Sequence, residues 1–297
     1  MSNYNEQEIQ LILDLHEQRK TWQEISNIYS AQFPGNPKSA NAVRKTFRRN
    51  RHKTVDLPHY KAEDKKIYKK ILVVSDMHIP YQHVDTIDFL KALNKKYAFD
   101  KVVCIGDEVD YHAISFHDSD PDLPSASDEL ALSRNQLKHL YKEFPEMDIV
   151  ESNHGSLVYR KALASGLPKA FFKSYNDILN APKGWRWQFD LKINTPLGKV
   201  YFCHGKSGSP GKLASMYSCS CVQGHFHQTA QVTYIGTPDK LMFDMHVGCL
   251  VNDHSLALGY NKIIPKRPII SVGIIINGIP QIIPMVLNNK GRWIGSL

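Results

Sequence analysis

Five short apolar runs in the middle of this chain each end in a cluster of carboxylate, amide or imidazole side chains. Ile71-Leu72-Val73-Val74 leads into Asp76-Met77-His78, and residues 101–105 lead into Gly106-Asp107-Glu108-Val109-Asp110. Ile149-Val150 leads into Asn153-His154, Val200-Tyr201-Phe202-Cys203 into His204-Gly205, and Cys221-Val222-Gln223 into Gly224-His225-Phe226-His227. An apolar run of four or five residues without alternation is the pattern of a strand buried on both faces. Between the first three runs lie amphipathic stretches. Residues 86–95 carry Ile87, Leu90 and Leu93 on one stripe, and residues 128–144 carry Leu130, Leu137, Leu140 and Tyr141. Strand–helix alternation of this kind predicts a parallel, right-handed α/β core. Ligands of such sheets bind at the carboxyl ends of the strands, so the five clusters are expected to converge.

After Trp185 the pattern changes. Trp187-Gln188-Phe189, Gln231-Val232-Thr233-Tyr234 and Leu241-Met242-Phe243 read as further strands separated by turns. Residues 269–276, Gly278 and residues 281–286 suggest a terminal hairpin. The whole reads as a sheet-rich α/β sandwich with no internal repeat.

The first 56 residues have another character. Residues 6–51 read as three short helices, the first with Ile9, Ile12, Leu13 and His16 on one stripe. Thr21 can cap the second, with Trp22, Ile25 and Tyr29 at helical spacing. Pro34-Gly35-Asn36-Pro37 breaks the chain, and Ser39 caps a third helix in which Val43 and Phe47 face inward. Residues 57–70 are polar and lysine-rich and read as a linker, so the sandwich is expected over 71–297. The net charge of +8 is uneven. Residues 1–70 hold fourteen lysines and arginines against eight acidic residues, a net of +6. Arg44, Lys45, Arg48, Arg49, Arg51 and Lys53 follow one another there, and no acidic residue occurs between Glu24 and Asp56. A basic last helix in a small three-helix unit points to a polyanion, DNA above all, although a solvated basic helix also explains the charge.

Composition excludes other classes. Hydrophobic content of 42% and charged content of 22% suit a soluble protein with a core, and no apolar run is long enough to span a membrane. The N-terminus lacks the layout of a signal peptide, and the five cysteines have no disulfide-framework spacing, so a cytoplasmic location is expected. Cys104 and Cys203 lie inside strand-like runs and read as buried thiols. Cys219-Ser220-Cys221 lacks a second Cys pair to complete a thiolate metal site.

Three carboxylates, an amide and several imidazoles form an inventory for two divalent ions sharing a bridging carboxylate. A water bridging such ions loses a proton near neutral pH and can attack phosphorus in line with the leaving oxygen. The series Asp-x-His, Gly-Asp-x-x-Asp, Asn-His, His and Gly-His-x-His resembles the calcineurin-like metallophosphoesterase family, over roughly residues 71–290. The resemblance implies a four-layer αββα sandwich, here preceded by the small three-helix domain. It implies that Asp76, His78, Asp107 and His227 hold one metal, and that Asp107, Asn153, His204 and His225 hold the other. It assigns His154 to the phosphate and leaving group and Asp110 to orienting a ligand histidine. The family usually has Gly before the Asn and Asp or Glu after the His. Ser152 and Gly155 stand there in this chain, so the resemblance does not say what positions His154. Residues 1–56 resemble Myb-like and related helix-turn-helix domains through Thr21-Trp22-Gln23-Glu24-Ile25 and Ser39-Ala40-Asn41-Ala42-Val43-Arg44. A helix-turn-helix followed by a phosphoesterase domain is similar to proteins encoded by bacteriophages.

Other residues compete for roles. Arg160 can bind a substrate phosphate or sit in a surface ion pair. Lys206, in the glycine-rich stretch of residues 205–212, can touch substrate, but the stretch does not match a P-loop and reads as a flexible loop. Glu108, His112, His117, His83, Asp85, His246 and His254 are nearby in sequence or metal-capable, yet no spacing requires them. The expected function is phosphodiester hydrolysis of DNA, as a nuclease or end-processing enzyme. The alternative is a phosphomonoesterase or a small or cyclic nucleotide phosphodiesterase whose first domain only localises it. Nitrogen and oxygen donors suit Mn2+, expected here, and also Fe, Zn2+, Ni2+ or Mg2+.

Overall fold

The computed structural model of the chain describes residues 4–50, 66–116, 120, 122–252 and 267–297. It divides into two compact units, Met1–Lys61 and Ala62–Leu297.

The first unit holds three helices, α1 (Glu6–Glu17), α2 (Trp22–Gln32) and α3 (Ala40–Asn50). Asn5 and Glu8 close a capping box on α1, and Thr21 and Glu24 close one on α2. Each box satisfies amides that a helix start leaves unpaired. The Ser39 hydroxyl accepts from the Ala42 amide at 3.3 Å at the start of α3. Ile12, Leu15, Ile25, Tyr29 and Val43 form the core. Leu15 thus joins Ile12 in place of Ile9, one turn of α1 facing the core through Leu11, Ile12 and Leu15. A buried polar link spans the unit: the Tyr29 hydroxyl donates to Glu8 Oε1 at 2.8 Å and Asn36 Nδ2 donates to the same oxygen at 3.0 Å. Arg44, Lys45 and Arg48 are exposed on α3. The Arg49 side chain and all of Arg51 and Lys53 lie outside the described residues.

The second unit contains two sheets. The six-stranded sheet runs in the order β11-β10-β1-β2-β3-β4. Its strands are β1 (Lys70–Val74), β2 (Lys101–Cys104), β3 (Met147–Val150), β4 (Trp185–Gln188), β10 (Ser271–Ile276) and β11 (Ile279–Pro284). The first four are mutually parallel, and β10 joins β1 antiparallel. The five-stranded sheet runs β5-β6-β7-β9-β8, built from β5 (Leu191–Thr195), β6 (Gly198–Cys203), β7 (Ser220–Gln223), β8 (Ala230–Gly236) and β9 (Leu241–Val247). Among the described residues five α-helices accompany them: α4 (Thr86–Tyr97), α5 (Ala126–Glu143), α6 (Leu157–Ala164), α7 (Tyr175–Leu179) and α8 (Lys212–Tyr217).

Alternate residues of each parallel strand serve two different cores, which explains the unbroken apolar runs. Leu72, Val74 and Cys104 pack with Leu90 and Leu93 of α4 and Leu137 and Leu140 of α5. Ile71, Val73, Val103 and Ile105 pack instead against Val200, Phe202, Val222 and Met245 of the second sheet. The outer face of that sheet meets α8 through Tyr201, Cys203, Leu213 and Ala214. Helices, sheet, sheet and helix therefore stack in that order.

The stretch expected as a linker lies outside the described residues up to residue 65. Beyond it, Ile67 bridges Asn194 and the Tyr68 amide donates to the Asn194 carbonyl at 2.9 Å, so these residues already belong to the sheet unit. The segment 205–212 is not loose either. The amides of Lys206 and Ser207 donate to Gln223 Oε1 at 3.1 and 3.2 Å, and Lys212 opens α8.

Candidate metal centre

The clusters that end β1, β2, β3, β6 and β7 meet at one edge of the two sheets. Tight turns carry them there. Asp76, His78 and Asp107 each adopt φ of +49° and His225 adopts φ of +68°. Left-handed backbone is costly for most side chains and least so for Asn, Asp and His. Three backbone and side-chain bonds hold the turns. The Asp76 amide donates to the Gly106 carbonyl at 3.1 Å, the His78 amide to the Asp107 carbonyl at 2.8 Å, and the Asp107 amide to Ser152 Oγ at 2.8 Å. Gly106 must lack a side chain, because a Cβ there would lie 2.4 Å from Ser152 Cβ and 2.8 Å from His204 Nδ1.

Asp76, His78 and His227 bring one donor atom each within 4.8 Å of one another, and Asp107, His204 and His225 do the same. Asp107 Oδ2 faces both groups, at 3.6 Å from His78 Nε2 and 3.2 Å from His204 Nε2. Asn153 joins the second group, its Oδ1 lying 2.7 Å from His204 Nε2. His227 Nε2 lies 3.1 Å from Asp76 Oδ1, and Asp76 Oδ2 accepts the His225 amide at 2.9 Å. The Ser75 hydroxyl also donates to Asp76 Oδ2.

This donor set fits cations. His204 Nδ1 lies 2.9 Å from the Ile105 carbonyl and so carries the proton, which leaves Nε2 a lone pair. His78 Nδ1 likewise faces Asp110 Oδ1 at 2.5 Å. The remaining nitrogens then confront other acceptors. His78 Nε2 is 3.3 Å from His227 Nε2, and His204 Nε2 is 3.2 Å from His225 Nδ1. Lone pairs crowded against buried carboxylates need a positive charge between them, a proton or a metal ion. The titration of the bare site reflects that need. Burial alone would lower His204, but the Asp107 and Asp76 carboxylates outweigh it and lift the imidazole to about 9. Burial would raise Asp107, yet His204, His78 and His154 hold it well below the usual carboxylate range. A divalent ion takes the place of such protons.

His154 stands beside this centre. Its Nδ1 lies 2.6 Å from the Asp110 carbonyl, its amide donates to Asp107 Oδ1 at 3.0 Å, and its ring is 4.7 Å from that of His78. Asp110 therefore touches two histidines at once. Positioning of His154 needs no carboxylate at residue 155, where the glycine faces Glu108: a Cβ there would lie 3.3 Å from Glu108 Oε1. Glu108 is buried, accepts from Trp187 Nε1 at 2.9 Å and is pushed by burial up to about 7.

Other expected residues have different surroundings. Arg160 Nη1 donates to the Asn153 carbonyl at 3.0 Å, and its guanidinium lies 5.1 Å from the Phe116 ring centre. Lys206 Nζ bonds the Tyr201 and Tyr217 hydroxyls and lies 3.9 Å from Asp190 Oδ2, so a substrate reaching it must compete with those partners. His83 Nε2 lies 3.0 Å from the Gly291 carbonyl and Asp85 is bound by Arg292, away from the ligand groups. His246 lies beneath the site in a buried network with Gln223 and Asp244. His112 faces Asp110 Oδ2 at 3.9 Å, while His117 and His254 lie outside the described residues. None of the five cysteines forms a disulfide. Ser75, Ser152, the Ile105 carbonyl and Glu129, which accepts the His112 and Ala113 amides at 2.8 and 3.0 Å, were not legible as site-builders from sequence. Only Ser152 left a trace, as a departure from the family's motif.

The profile of the calcineurin-like phosphoesterases matches residues 69–244, which contain every residue of the two donor groups. The chain belongs to the calcineurin-like phosphoesterase family. It is a metal-dependent phosphoesterase. No curated protein sequence matches this phosphoesterase. Among solved structures it is similar to an archaeal phosphodiesterase, at 15% identity and a TM-score of 0.39, covering 72% of this chain and 99% of that one. Vps29 from Chaetomium thermophilum has 14% identity and a TM-score of 0.42, with 76% and 93% covered. The phosphoesterase Yfce from E. coli has 13% identity and a TM-score of 0.40, with 76% and 96% covered. No helix among the described residues is long and apolar enough to cross a membrane.

Proposed function

We propose that this phosphoesterase is a cytoplasmic phosphodiesterase of DNA that works with two divalent ions, Mn2+ by preference. The observation that carries the reading is a single carboxylate oxygen, Asp107 Oδ2, facing two nitrogen and oxygen donor groups at 3.6 and 3.2 Å in a chain that also holds a separate basic helical unit. Asp76, His78 and His227 would hold one ion and Asn153, His204 and His225 the other, with Asp107 between them. When bound, the ions supply an ionised water as nucleophile and neutralise the phosphoryl oxygens. Asp110 and the Ile105 carbonyl keep protons on the outer nitrogens of His78 and His204, so the inner nitrogens stay available as ligands. His154, its Nδ1 proton held by the Asp110 carbonyl, can donate a hydrogen bond or a proton from Nε2 to the leaving oxygen when the ring is doubly protonated. Arg160, tied to the carbonyl of Asn153, has further guanidinium donors for a non-bridging phosphate oxygen. The DNA part rests on α3. Its exposed Arg44, Lys45 and Arg48, with Arg49 and Arg51 beyond them, suit a helix-turn-helix reader of the Myb-like kind. Cysteines outside disulfides suit a reducing compartment.

The test uses metal-free protein reconstituted with Mn2+ and assayed on bis-p-nitrophenyl phosphate, p-nitrophenyl phosphate, and linear and circular DNA. DNA cleavage that disappears in Asp107→Ala is expected, the circular substrate separating endo from exo action. Monoester turnover with intact DNA would replace this reading by that of a phosphomonoesterase or small-nucleotide enzyme. Wild-type turnover in Asp107→Ala would sink the two-ion centre.

A further inference from the structure

The Cys219-Ser220-Cys221 stretch takes no part in the metal centre, yet its two thiols are arranged for chemistry. Strand β7 begins at Ser220, and Cys219 and Cys221 flank that residue on the outer face of the second sheet, in the cluster that meets α8. Their burial differs. Cys221 is fully buried, whereas Cys219 is open in part to solvent. The two sulfurs lie within hydrogen-bonding reach of each other, and Cys221 Sγ is 3.4 Å from the Cys219 carbonyl. Cations stand around the more open sulfur. Lys192 is in register with Tyr201, which is in register with Cys221, and the Lys240 ammonium donates to the Ser218 carbonyl just before Cys219. The Cys221 thiol, helped by Lys192 and Lys240 against the opposing effect of burial, holds Cys219 down at about 7 instead of 9.0. The Cys219 sulfur and burial push Cys221 far up. An accessible sulfur that ionises near neutral pH thus lies in front of a buried thiol that keeps its proton. Electropositive, partly open surroundings of this kind mark reactive cysteines, and fully buried ones are inert. Cys104, Cys203 and Cys249 are of the buried kind.

We infer that Cys219 and Cys221 form a reversible thiol–disulfide pair that exchanges with small disulfides such as glutathione disulfide. The Cys219 thiolate attacks one sulfur of glutathione disulfide, a new S–S bond joins it to that glutathione, and the other glutathione leaves as a thiolate. Cys221 gives its proton to the departing thiolate, attacks Cys219 Sγ and expels the second glutathione, which takes a proton from water. Two protein thiols are oxidised to one disulfide, and one glutathione disulfide is reduced to two glutathione thiols. An extended stretch sets residues two apart about 6.6 Å from each other, at the far end of what a disulfide spans. The bridge is therefore strained and easily reduced, which suits a labile switch in reducing surroundings and not a structural staple. Its place in the fold joins two parts of the molecule. Tyr217, two residues before Cys219, bonds Lys206 Nζ at 3.1 Å, and the strand that begins between the two cysteines runs on to His225 and His227.

The test equilibrates the full chain with mixtures of reduced and oxidised glutathione, quenches in acid, alkylates after denaturation and digests with trypsin. Residues 213–240 form one tryptic peptide that holds both cysteines. In oxidising mixtures this peptide should lose two hydrogens and take no alkyl group, dithiothreitol should restore both sites, and Cys104, Cys203 and Cys249 should stay alkylated throughout. In Cys221→Ala the peptide should instead carry glutathione on Cys219, because the thiol that expels it is gone, and Cys219→Ala should show neither product. A second measurement needs no variant and so survives misfolding of either one. Iodoacetamide added to the native chain at pH 7 should label Cys219 about fivefold faster than it labels free glutathione, the larger thiolate fraction outweighing the lower nucleophilicity. Both thiols alkylated in the most oxidising mixture, a glutathione adduct that persists in the unmutated chain, or a bridge from Cys221 to Cys203 would each overturn the inference. Labelling of Cys219 no faster than that of glutathione would overturn it too, by removing the attacking sulfur.

Discussion

Gly224 shows how little room the ligand turns leave. A Cβ at this position would lie 1.9 Å from Ser75 Oγ and 2.5 Å from Asp76 Oδ2. Gly224→Ala must therefore displace the Asp76 carboxylate, which also accepts the neighbouring His225 amide. Such a disturbance behind a ligand costs about 10–100-fold in metal affinity. Mn2+ titration by calorimetry should register a loss in that range with the far-UV spectrum retained, and unaltered affinity would mean that Asp76 is not a ligand. At this scale the sequence is legible where chemistry restricts the choice. Few side chains offer nitrogen or oxygen to a hard cation, so Asp76, His78, Asp107, Asn153, His204, His225 and His227 stand out. Their supports do not. A serine hydroxyl such as Ser152 Oγ or a carbonyl such as that of Ile105 is chemically anonymous until the turns bring it within 2.8–2.9 Å of its partner.

Among the elements, α4 illustrates a tie between distant segments. Asp85 stands at its start and accepts from Arg292 Nε at 2.9 Å and Nη2 at 2.5 Å, and from the Trp293 amide at 2.8 Å. The Arg292 fork, against the opposing effect of burial, holds the Asp85 carboxyl at about 2 instead of 3.8. A carboxyl depressed by folding adds stability above its unfolded pKa and loses it as pH falls through the folded value. Asp85→Asn should therefore cost about 1–2 kcal/mol at pH 7, discounted because the Arg292 side chain is 58% exposed. The gap between variant and wild type should close between about pH 4 and pH 2, as thermal melts would show; a gap unchanged at pH 2 would refute the assignment. Elements themselves were legible when they filled a core from both sides. The strands β1, β2, β3, β6 and β7 announced themselves by apolar runs. The strand β5 and the short helices α7 and α8 did not, since Leu191–Thr195 has only two buried residues and the helices span five and six residues. Strand order was also hidden. Nothing local in Ser271–Ile276 says that it lies beside Lys70–Val74.

For the whole molecule, charge is the organising asymmetry. The net of +6 carried by residues 1–70 belongs mostly to the helical unit, whereas the candidate metal centre is built of buried acids and imidazoles. Replacing Arg44, Lys45 and Arg48 together by alanine in the full chain should weaken DNA binding and flatten its dependence on salt, by about 0.9 in logarithmic slope for each phosphate contact removed. Hydrolysis of bis-p-nitrophenyl phosphate should not change. A slope equal to that of wild type would remove α3 from the interface. The uneven charge marks the first unit as distinct in the sequence, and the boundary is blurred because Ile67 and Tyr68 pair with Asn194 inside a stretch that looks like linker.

The central position of β1 bears on how the protein is made. The ribosome delivers β1 early, carrying Asp76 and His78 close behind it, but one of its two neighbours, β10, is not synthesised until residues 271–276. Throughout most of translation one edge of an apolar strand in the middle of the future sheet has no partner. Nascent chains and prematurely terminated products therefore expose a template for intermolecular pairing. The helical unit, complete by residue 61, faces no such delay. Soluble yield should thus depend on slow elongation and chaperone capacity during the second half of synthesis, and fragments that stop short of β10 should accumulate in inclusion bodies although their helical unit is complete.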